Sequence, residues 1–378
     1  MSFKLMLAGM RVAAAALRRK QIPADDVSSV ALIELSGLGD AIAMLPALQG
    51  FRALFPSAQL HLIVESSVAD LLAALDLPVT VHGVARVRSA AGVASAISLV
   101  RDLNPSVACS MSPPRRNALV ALLSGAPGIA GYLRYTDSLT PFLLSTPVEA
   151  IGMQDSGGMR YERHHISERA LLVCRALGFR STFAPKGIKI AAAMADRIRF
   201  DLTVAGVITP REYVVIHPCA GWSYRQWPQQ SFASLARRFL DTKGTTVVFL
   251  WDGKNEGELP ELRQQFIGEP RVMFAPSLDL PGCAVLISGS SLFVGNDSGP
   301  LHLAAALGVP VVGLFGPSDP ALTAPHTLVP SSLIYKKVDC SPCDQRRCVR
   351  PGDPCMNMIT VDDAFTAALS VQRRAIHA

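Results

Sequence analysis

The sequence predicts an α/β protein with two doubly wound domains that face one cleft. Short apolar strands alternate with helix patterns, and the alternation occurs in two series of similar size. The length of 378 residues fits two domains, since one domain usually has about 100–200 residues. Hydrophobic residues make up 49% and charged residues 17% of the chain, which excludes a disordered protein and provides apolar material for two cores.

The first series lies in the N-terminal half of the chain. Strands are predicted over Val30–Leu35, Leu60–Val64, Val79–Val84 and Ser106–Cys109, with helices from Ala41, over Ser67–Leu75 and over Gly92–Leu103. The polar, glycine-containing stretch Thr140–Arg163 predicts a long mobile loop, and helical periodicity resumes over His164–Leu177.

The second series follows a linker that is predicted over Pro185–Arg211. Its strands are predicted over Glu212–His217, Thr245–Trp251, Leu292–Gly295 and Val309–Phe315, its helices over Ser231–Leu240, Glu258–Phe266 and Pro300–Leu307, and a terminal helix over Val361–Ile376. In open α/β sheets, ligands bind beyond the carboxyl ends of strands. The loops that follow the predicted strands are therefore the candidate sites.

The positive charge is mild, with a net value of +6. The segment Met1–Lys20 is basic and contains no acid, which predicts an amphipathic helix that either touches anionic lipid or caps the first domain. No apolar run reaches the roughly 18 residues that span a bilayer, and no signal peptide is expected. The charge fits an anionic substrate or a membrane surface, whereas no basic and aromatic residues interleave as in nucleic-acid-binding proteins.

The first candidate site is the turn after the first strand, which contains Ser36, Gly37, Gly39 and Asp40. The glycines allow a tight turn and a close approach of a ligand. Asp40 would present a carboxylate that can take a proton from a substrate hydroxyl. The alternative is that Asp40 only caps the helix that begins at Ala41.

The second candidate site is the turn that carries Asp297, Ser298, Gly299, Pro300 and His302. Pro300 suits a first helical turn, where Ser298 and Gly299 would offer N–H groups to a phosphate or pyrophosphate. Asp297 could accept from sugar hydroxyls, and His302 would lie on the ligand side of the first turn. The alternative is a capped helix with a core histidine.

Two further loops carry candidate ligand contacts. Arg225 can pair with phosphate oxygens through its planar fork, or it forms a surface ion pair. Trp227, two residues later, is predicted to pack in the core. Glu256 could bind a ribose diol, or it is a solvated loop residue. No Asp-x-Asp triplet occurs, so a divalent-metal site of that form is not expected to hold a diphosphate.

Four cysteines cluster near the C-terminus with a spacing that is compatible with metal binding: Cys340, Cys343, Cys348 and Cys355. Four thiolates could hold zinc or iron, and the alternatives are reduced thiols or one or two disulfides. Three arginines interleave them: Arg346, Arg347 and Arg350. We expect these arginines to lower the pKa of the thiols and to form a basic patch that could bind phosphate groups.

Four motifs follow one another along the chain: Ser36-x-x-Gly39-Asp40, Arg225-x-Trp227-Pro228, Trp251-x-Gly253-x-x-Glu256 and Asp297-Ser298-Gly299-Pro300-x-His302. These motifs and their order resemble those of bacterial lipopolysaccharide heptosyltransferases, which are members of glycosyltransferase family nine. The resemblance implies a GT-B fold, with an acceptor-binding domain over residues 1–190 and a nucleotide-sugar-binding domain over residues 191–355. The latter includes the cysteine-rich segment 340–355, and a C-terminal helix within residues 356–378 would return towards the first domain.

The resemblance also implies an inverting, metal-independent transfer of heptose from ADP-heptose to a lipopolysaccharide-core or related glycan acceptor. Asp40 would be the base, and the donor contacts would be Arg225, Glu256, Asp297, Ser298, Gly299 and His302. The expected acceptor side comprises Gly37, Gly39, Arg115, Arg116, Arg160 and Arg163. The arginines are expected on the loops Ser112–Asn117 and Met153–His165, where they could also be ordinary solvated charges. Better-known members carry Lys at the position of Arg225, and some carry Thr at that of Ser298, so the donor stays open.

No cofactor is expected for catalysis, and zinc or iron at the cysteines would be structural. The expected location is the cytoplasm, with peripheral contact at the inner face of the inner membrane. One alternative is a heptosyltransferase that acts on protein and holds a structural metal at the cysteines. Another is a non-catalytic sugar-nucleotide-binding or redox-regulated protein, against which Asp40 argues.

Overall fold

The chain is described by a computed structural model over residues 23–85, 89–112, 115–132, 146–148, 153–156, 159–162, 164–181, 187–204, 206, 212–242, 244–251, 259–343 and 347–376. It divides into two compact units between Ala184 and Pro185, with short exchanges at Ala74–Asp76 and Ser156–Met159. This division lies close to the predicted boundary between residues 190 and 191. What each unit binds stays a prediction.

The first unit contains a six-stranded parallel sheet with the strand order β3-β2-β1-β4-β5-β6. Its strands are β1 (Ser29–Ile33), β2 (Gln59–Glu65), β3 (Thr80–Val84), β4 (Val107–Ser110), β5 (Gly128–Tyr132) and β6 (Thr146–Val148). Its helices are α1 (Leu38–Leu54), α2 (Ser66–Ala73), α3 (Ala90–Leu103), α4 (Arg115–Leu123) and α5 (Ile166–Ala176). Strands β7 (Met153–Ser156) and β8 (Met159–Glu162) form a separate pair.

The first sheet is built around apolar central strands. Ile33 of β1 lies opposite Ile63 of β2 and Ser110 of β4, and residues 30–33 are fully buried. Such continuous apolar runs are typical of parallel strands that are covered on both faces. Val100 of α3 and Val120 of α4 belong to the core cluster that covers one face of this sheet.

Two predictions for the first unit are wrong. The stretch Thr140–Arg163 is not one loop in its described part, because it contains β6, β7 and β8. These strands have only three or four residues each, which is too short for a clear alternation of apolar and polar positions. Residues 115–117, expected in an acceptor loop, instead begin helix α4.

The second unit repeats the topology with a parallel sheet of order β11-β10-β9-β12-β13-β14. Its strands are β9 (Tyr213–His217), β10 (Thr246–Phe249), β11 (Val272–Phe274), β12 (Leu292–Asn296), β13 (Val311–Phe315) and β14 (Ser331–Tyr335). Its helices are α6 (Ala192–Val204), α7 (Gln229–Leu240), α8 (Pro260–Gln264), α9 (Leu280–Ser288), α10 (Gly299–Ala306), α11 (Pro320–Thr323) and α12 (Val361–Ile376).

The terminal helix α12 is part of the second unit. Its buried residues Ala364, Ala368 and Val371 join the core that contains Trp227 and Phe232. This helix therefore completes the core of the second unit, and its return towards the first domain stays a prediction. The amphipathic pattern predicted the helix and its ends, but it could not predict the surface on which the helix packs.

The predicted linker Pro185–Arg211 contains a helix. Helix α6 occupies Ala192–Val204 and packs against α9 of the same unit. The sequence did not reveal it because only Leu202 of this helix is buried, whereas Phe200 is 69% exposed. Its apolar residues therefore do not form the stripe from which an amphipathic helix is predicted.

Candidate active site

In both units, the candidate residues lie at the point where the strand order reverses. In each sheet, the second and third strands lie on one side of the first strand, and the fourth strand lies on its other side. The connections therefore diverge between the first and fourth strands, which opens a crevice at their carboxyl ends. Asp40 follows β1 in the first unit. Asp297 directly follows β12, which pairs with β9 in the second unit.

Asp40 lies in the first turn of α1, where a carboxylate is favoured by the helix dipole. Gly37 occupies the N-cap position, so Asp40 does not cap this helix. The Asp40 side chain is 30% exposed, and its Oδ1 atom lies 3.5 Å from Nη1 of Arg169 on α5. The carboxylate is thus accessible to a substrate and is oriented by a cation.

The turn before Asp40 is held by polar contacts from β4 and α4. Oδ1 of Asn117 accepts from the Leu35 N–H at 3.1 Å, and its Nδ2 donates to Oγ of Ser112 at 3.0 Å. Arg116 donates through Nε to the Leu35 carbonyl at 2.9 Å and through Nη2 to the Ser36 carbonyl at 3.4 Å. Arg116, predicted as an acceptor contact, therefore also fixes the backbone of the turn.

Glu34, the residue after β1, is only 2% exposed. Its Oε1 atom accepts from the Ser36 N–H at 2.9 Å. Burial raises the pKa of Glu34 to about 7, and the nearby Asp40 carboxylate acts in the same direction, whereas hydrogen bonds with Ser36 and Ser112 oppose the rise. The first unit thus places two carboxyl groups close together, one of them buried.

Asp297 is the buried carboxylate of the second unit, with an exposure of 3%. Its Oδ2 atom lies 3.2 Å from Nη1 of Arg225 and accepts from Oγ of Ser318 at 2.5 Å. Nη1 of Arg225 also approaches the Asp297 carbonyl at 3.4 Å. Arg225 ends a short 3₁₀ turn after β9, and its side chain is 25% exposed. Arg225 thus forms an ion pair, as its alternative interpretation had it, but the partner is buried and does not lie at the surface.

Asn296 fixes the two loops that carry Arg225 and Asp297. It is fully buried, its Oδ1 accepts from the Trp227 N–H at 3.0 Å, and its Nδ2 donates to the Pro218 carbonyl at 2.8 Å. Trp227 is a core residue, as predicted, and its Nε1 donates to the Ile359 carbonyl at 2.9 Å. These contacts hold both loops in a defined position.

The remaining predicted donor contacts belong to α10. Ser298 is its N-cap residue, Gly299 its first residue, and Pro300 lies in the first turn, as predicted. Oγ of Ser298 lies 3.5 Å from Nδ1 of His217, the last residue of β9. His302 is buried in this helix, and its contact with a donor stays a prediction.

Several predicted residues cannot be placed. Glu256 and Arg163 lie outside the described residues, as do Met1–Lys20 and Arg346. Arg115 belongs to α4 and Arg160 to β8, but their side chains also lie outside the described part. Gly37 precedes α1 and Gly39 lies in its first turn, beside Asp40.

The four clustered cysteines line one cavity of about 270 Å³, together with Arg347, Arg350 and other residues. Among the described residues, which include all eight cysteines, no disulfide joins two of them. Within the same described part, no three His, Cys, Asp or Glu side chains are arranged to hold a metal ion. The thiols thus have the chemistry of a zinc or iron site, but their positions match the alternative of four reduced thiols.

The expectation that neighbouring arginines lower the thiol pKa values is wrong for Cys355. Burial raises the pKa of Cys355 to about 11, and the other three thiols act in the same direction. Burial out of water and the neighbouring thiols both disfavour the thiolate of Cys355.

Four residues of the two sites were not predicted from the sequence: Glu34, Arg169, Asn296 and Ser318. Glu34 and Asn296 lie at ends of apolar strands, which is the only local signal they carry. Arg169 and Ser318 are distant in sequence from the carboxylates they contact, and no spacing pattern connects them.

Comparison with known proteins gives a family match. The model of glycosyltransferase family 9 (heptosyltransferase) matches residues 158–352, more than half of the chain. Lipopolysaccharide heptosyltransferase 1 of Pseudomonas aeruginosa is 26% identical over 333 residues, which cover 84% of this chain and 87% of that protein.

Solved structures show the same fold. Escherichia coli ADP-heptose lps heptosyltransferase II is similar with a TM-score of 0.70 at 19% identity, over 91% of this chain and 98% of that one. The iron-containing dodecameric glycosyltransferase TibC from enterotoxigenic E. coli has a TM-score of 0.52 at 15% identity, over 93% and 77%. The predicted fold class, two doubly wound parallel-sheet domains of the GT-B kind, is confirmed.

Proposed function

We propose, because this chain belongs to glycosyltransferase family 9, that it transfers heptose from ADP-heptose to a lipopolysaccharide-core acceptor with inversion at the anomeric carbon. The chain is a glycosyltransferase by its family. The names of its relatives support the choice of heptose, ADP and lipopolysaccharide. The donor, the acceptor and the residues that bind them are the substance of the proposal.

The observation that carries the proposal is the assembly of Arg225, Asp297 and Ser318 beside the first turn of α10. The guanidinium group has five N–H donors, so it can contact Asp297 and a phosphate oxygen at the same time. The N-terminal end of α10 adds the positive end of a helix dipole. A cation and a helix end at one crevice suit the diphosphate of a nucleotide sugar.

Asp40 supplies the base in this proposal. Its carboxylate is accessible and paired with Arg169, so it can accept the proton of an acceptor hydroxyl. The hydroxyl oxygen then attacks the anomeric carbon from the face opposite the diphosphate. The bond to the diphosphate breaks as the new glycosidic bond forms, which inverts the configuration.

The leaving group is ADP, a weakly basic anion that needs no strong general acid. Arg225 and the helix end at Ser298–Gly299 stabilise the negative charge that develops on it. Gly299 has no side chain that would keep a ligand away from the backbone, and His302 would complete the donor contacts. These steps use only side chains and backbone groups of the chain.

The expected acceptor contacts include Arg116, whose guanidinium also fixes the Leu35–Ser36 backbone. An acceptor with phosphate groups suits these arginines. No helix in the described part of the chain combines the length and apolarity needed to cross a membrane. A cytoplasmic location with peripheral contact at the inner membrane belongs to the proposal.

Calorimetric titration with ADP, UDP, GDP and CDP, without added divalent metal, tests the donor. We expect ADP to bind most tightly, because the relatives are named for ADP-heptose. Tighter binding of another nucleotide would leave the family assignment intact and refute the ADP-sugar. Equal binding of all four nucleotides would refute the idea that the protein selects its donor by the nucleobase.

A further inference from the structure

Ser298 is the N-cap residue of α10, but its hydroxyl makes no capping hydrogen bond to the described helix. An N-cap serine usually accepts a hydrogen bond from the N–H of the second or third helical residue. Here the second residue is Pro300, which has no N–H. The N–H of the third residue, Leu301, donates to the Ser298 carbonyl at 3.1 Å. The sequence of this turn therefore leaves the Ser298 hydroxyl available for other contacts.

The group that meets this hydroxyl is the imidazole of His217, the last residue of β9. Its Nδ1 atom lies 3.5 Å from Oγ of Ser298. His217 is only 1% exposed, whereas Ser298 is half-buried. The hydroxyl thus has a buried ring on one side and stays partly accessible to a ligand.

The neighbouring strand β12 holds the His217 ring in place. The ring stacks on Phe293, with the centroids 6.3 Å apart and an angle of 23° between the planes. Gly295 pairs with His217 in the sheet, and a Cβ atom at Gly295 would lie 3.3 Å from Cβ of His217 and 2.9 Å from Cε1 of Phe293. Glycine at this position therefore leaves the space in which the two rings pack beside Ser298.

The direction of the hydrogen bond between His217 and Ser298 decides whether the hydroxyl can bind an anion. A serine hydroxyl has one proton, and the oxygens of a diphosphate accept hydrogen bonds. If Nδ1 of His217 accepts that proton, the hydroxyl turns only its lone pairs towards the diphosphate. If Nδ1 carries a proton and donates it to Oγ, the hydroxyl can donate its own proton to a phosphate oxygen. Only the second arrangement adds an attractive contact.

We infer that His217 is a positioning residue that donates a hydrogen bond through Nδ1 to Oγ of Ser298 and so directs the hydroxyl proton to the diphosphate. The inference rests on the proposed function, in which the diphosphate lies at this end of α10 beside Arg225. His217 itself does not contact the diphosphate. Its effect is carried by the orientation of one hydroxyl group.

The first test is a double-mutant cycle, measured by calorimetry with the tightest-binding of the four nucleotides and with its nucleoside, expected to be ADP and adenosine. Ser298→Ala and His217→Gln should each raise the Kd for the nucleotide about tenfold, since each loses the same hydrogen bond to a charged group. The double variant should also lose about tenfold, because the two residues act as a unit. The nucleoside has no phosphate and should bind equally to all of these proteins. A loss of about a hundredfold in the double variant would mean independent effects and would overturn the inference.

The second test compares two amides at position 217. The side-chain NH₂ group of asparagine lies near the position of Nδ1 in histidine, whereas that of glutamine lies near Nε2. His217→Asn should therefore keep the nucleotide affinity within about threefold of the wild type, and His217→Gln should lose about tenfold. Equal losses would mean that the ring only fills space, which would refute the inference. The matched control is His326→Gln, at an exposed histidine of the same unit, which should bind like the wild type.

The third test is nitrogen-15 NMR of the full-length wild type, labelled at its histidines and saturated with the nucleotide. The signal of His217 is identified by its absence from His217→Asn or His217→Gln. We expect it to show a proton on Nδ1. A nucleotide-bound His217 whose Nδ1 carries no proton would overturn the inference.

Arg225→Ala separates the two possible failures. If Arg225→Ala and Ser298→Ala both bind the nucleotide like the wild type, the proposed diphosphate site is wrong. If both bind it weakly while the His217 variants bind it like the wild type, only the inference about His217 fails.

Discussion

Two buried carboxyl groups, Glu34 in the first unit and Asp297 in the second, follow central strands of sheets that have the same order. Both are almost inaccessible to solvent. Asp297 is compensated by a cation, Arg225 at 3.2 Å, and by the hydroxyl of Ser318. Glu34 has a like charge nearby, Asp40, and is favoured in its protonated form.

The comparison teaches that the same topology can stabilise a buried acid in two ways. An ion pair keeps a carboxylate available for polar contacts with a sugar or a cation, whereas a proton keeps a carboxyl group neutral until the pH rises. In the proposed function, Asp297 belongs to the donor-binding turn, whereas Glu34 lies in the chain just before the turn that carries Asp40, the proposed base. The predictions below remove one element of this contrast at a time.

The largest effect is expected for Asp40→Asn. Asparagine has the same size but cannot accept the proton of the acceptor hydroxyl, so kcat should fall about 10²–10⁴-fold. The affinity for ADP should not change, since Asp40 and the donor residues belong to different units. Steady-state kinetics and calorimetry measure the two quantities. The control is Asp70→Asn, on the exposed face of α2, which should keep its activity. Normal turnover of Asp40→Asn would exclude Asp40 as the base.

The next largest effect is expected for Arg225→Ala. The substitution removes a charge-assisted phosphate contact and leaves Asp297 buried without this cation, so the Kd for ADP should rise about 10²-fold. Calorimetry measures this directly. Arg238→Ala removes an exposed ion pair with Asp362 and should leave ADP binding unchanged. Unaltered ADP affinity in Arg225→Ala would place the diphosphate elsewhere.

The smallest effect is expected on stability in Glu34→Gln. The pKa of Glu34 is raised from 4.5 to about 7 in the folded state, so the wild type loses stability as the pH rises through 7, while the unfolded chain is already ionised. Glutamine has no such loss. Relative to the wild type, the variant should therefore gain about 2 kcal/mol between pH 5 and pH 8.

Urea unfolding at the two pH values measures this gain. The matched control is Glu65→Gln, in which the same change is made at a half-buried strand end. If the free energies of unfolding of wild type and Glu34→Gln differ by the same amount at pH 5 and pH 8, the raised pKa of Glu34 is contradicted.

Much of the fold was predictable because its signals are local. The strand ends near His217, Gly295 and Phe315 were predicted within two residues, since buried parallel strands appear as short apolar runs. The α12 helix was predicted over its exact range because its apolar residues recur with helical periodicity, which is also a local signal. Helix α6 escaped prediction because it buries so little of its surface.

The sequence by itself determined that Asp40 and Asp297 lie between a strand and a helix. The strand, the turn and the helix follow one another in the chain, and each has its own local residue pattern. Only the tertiary structure decided which groups lie beside them. Arg169 contacts Asp40, and Ser318 contacts Asp297, although these residues are far apart in the chain. Burial and charge depend on such distant neighbours, so the raised pKa of Glu34 follows only from the folded chain.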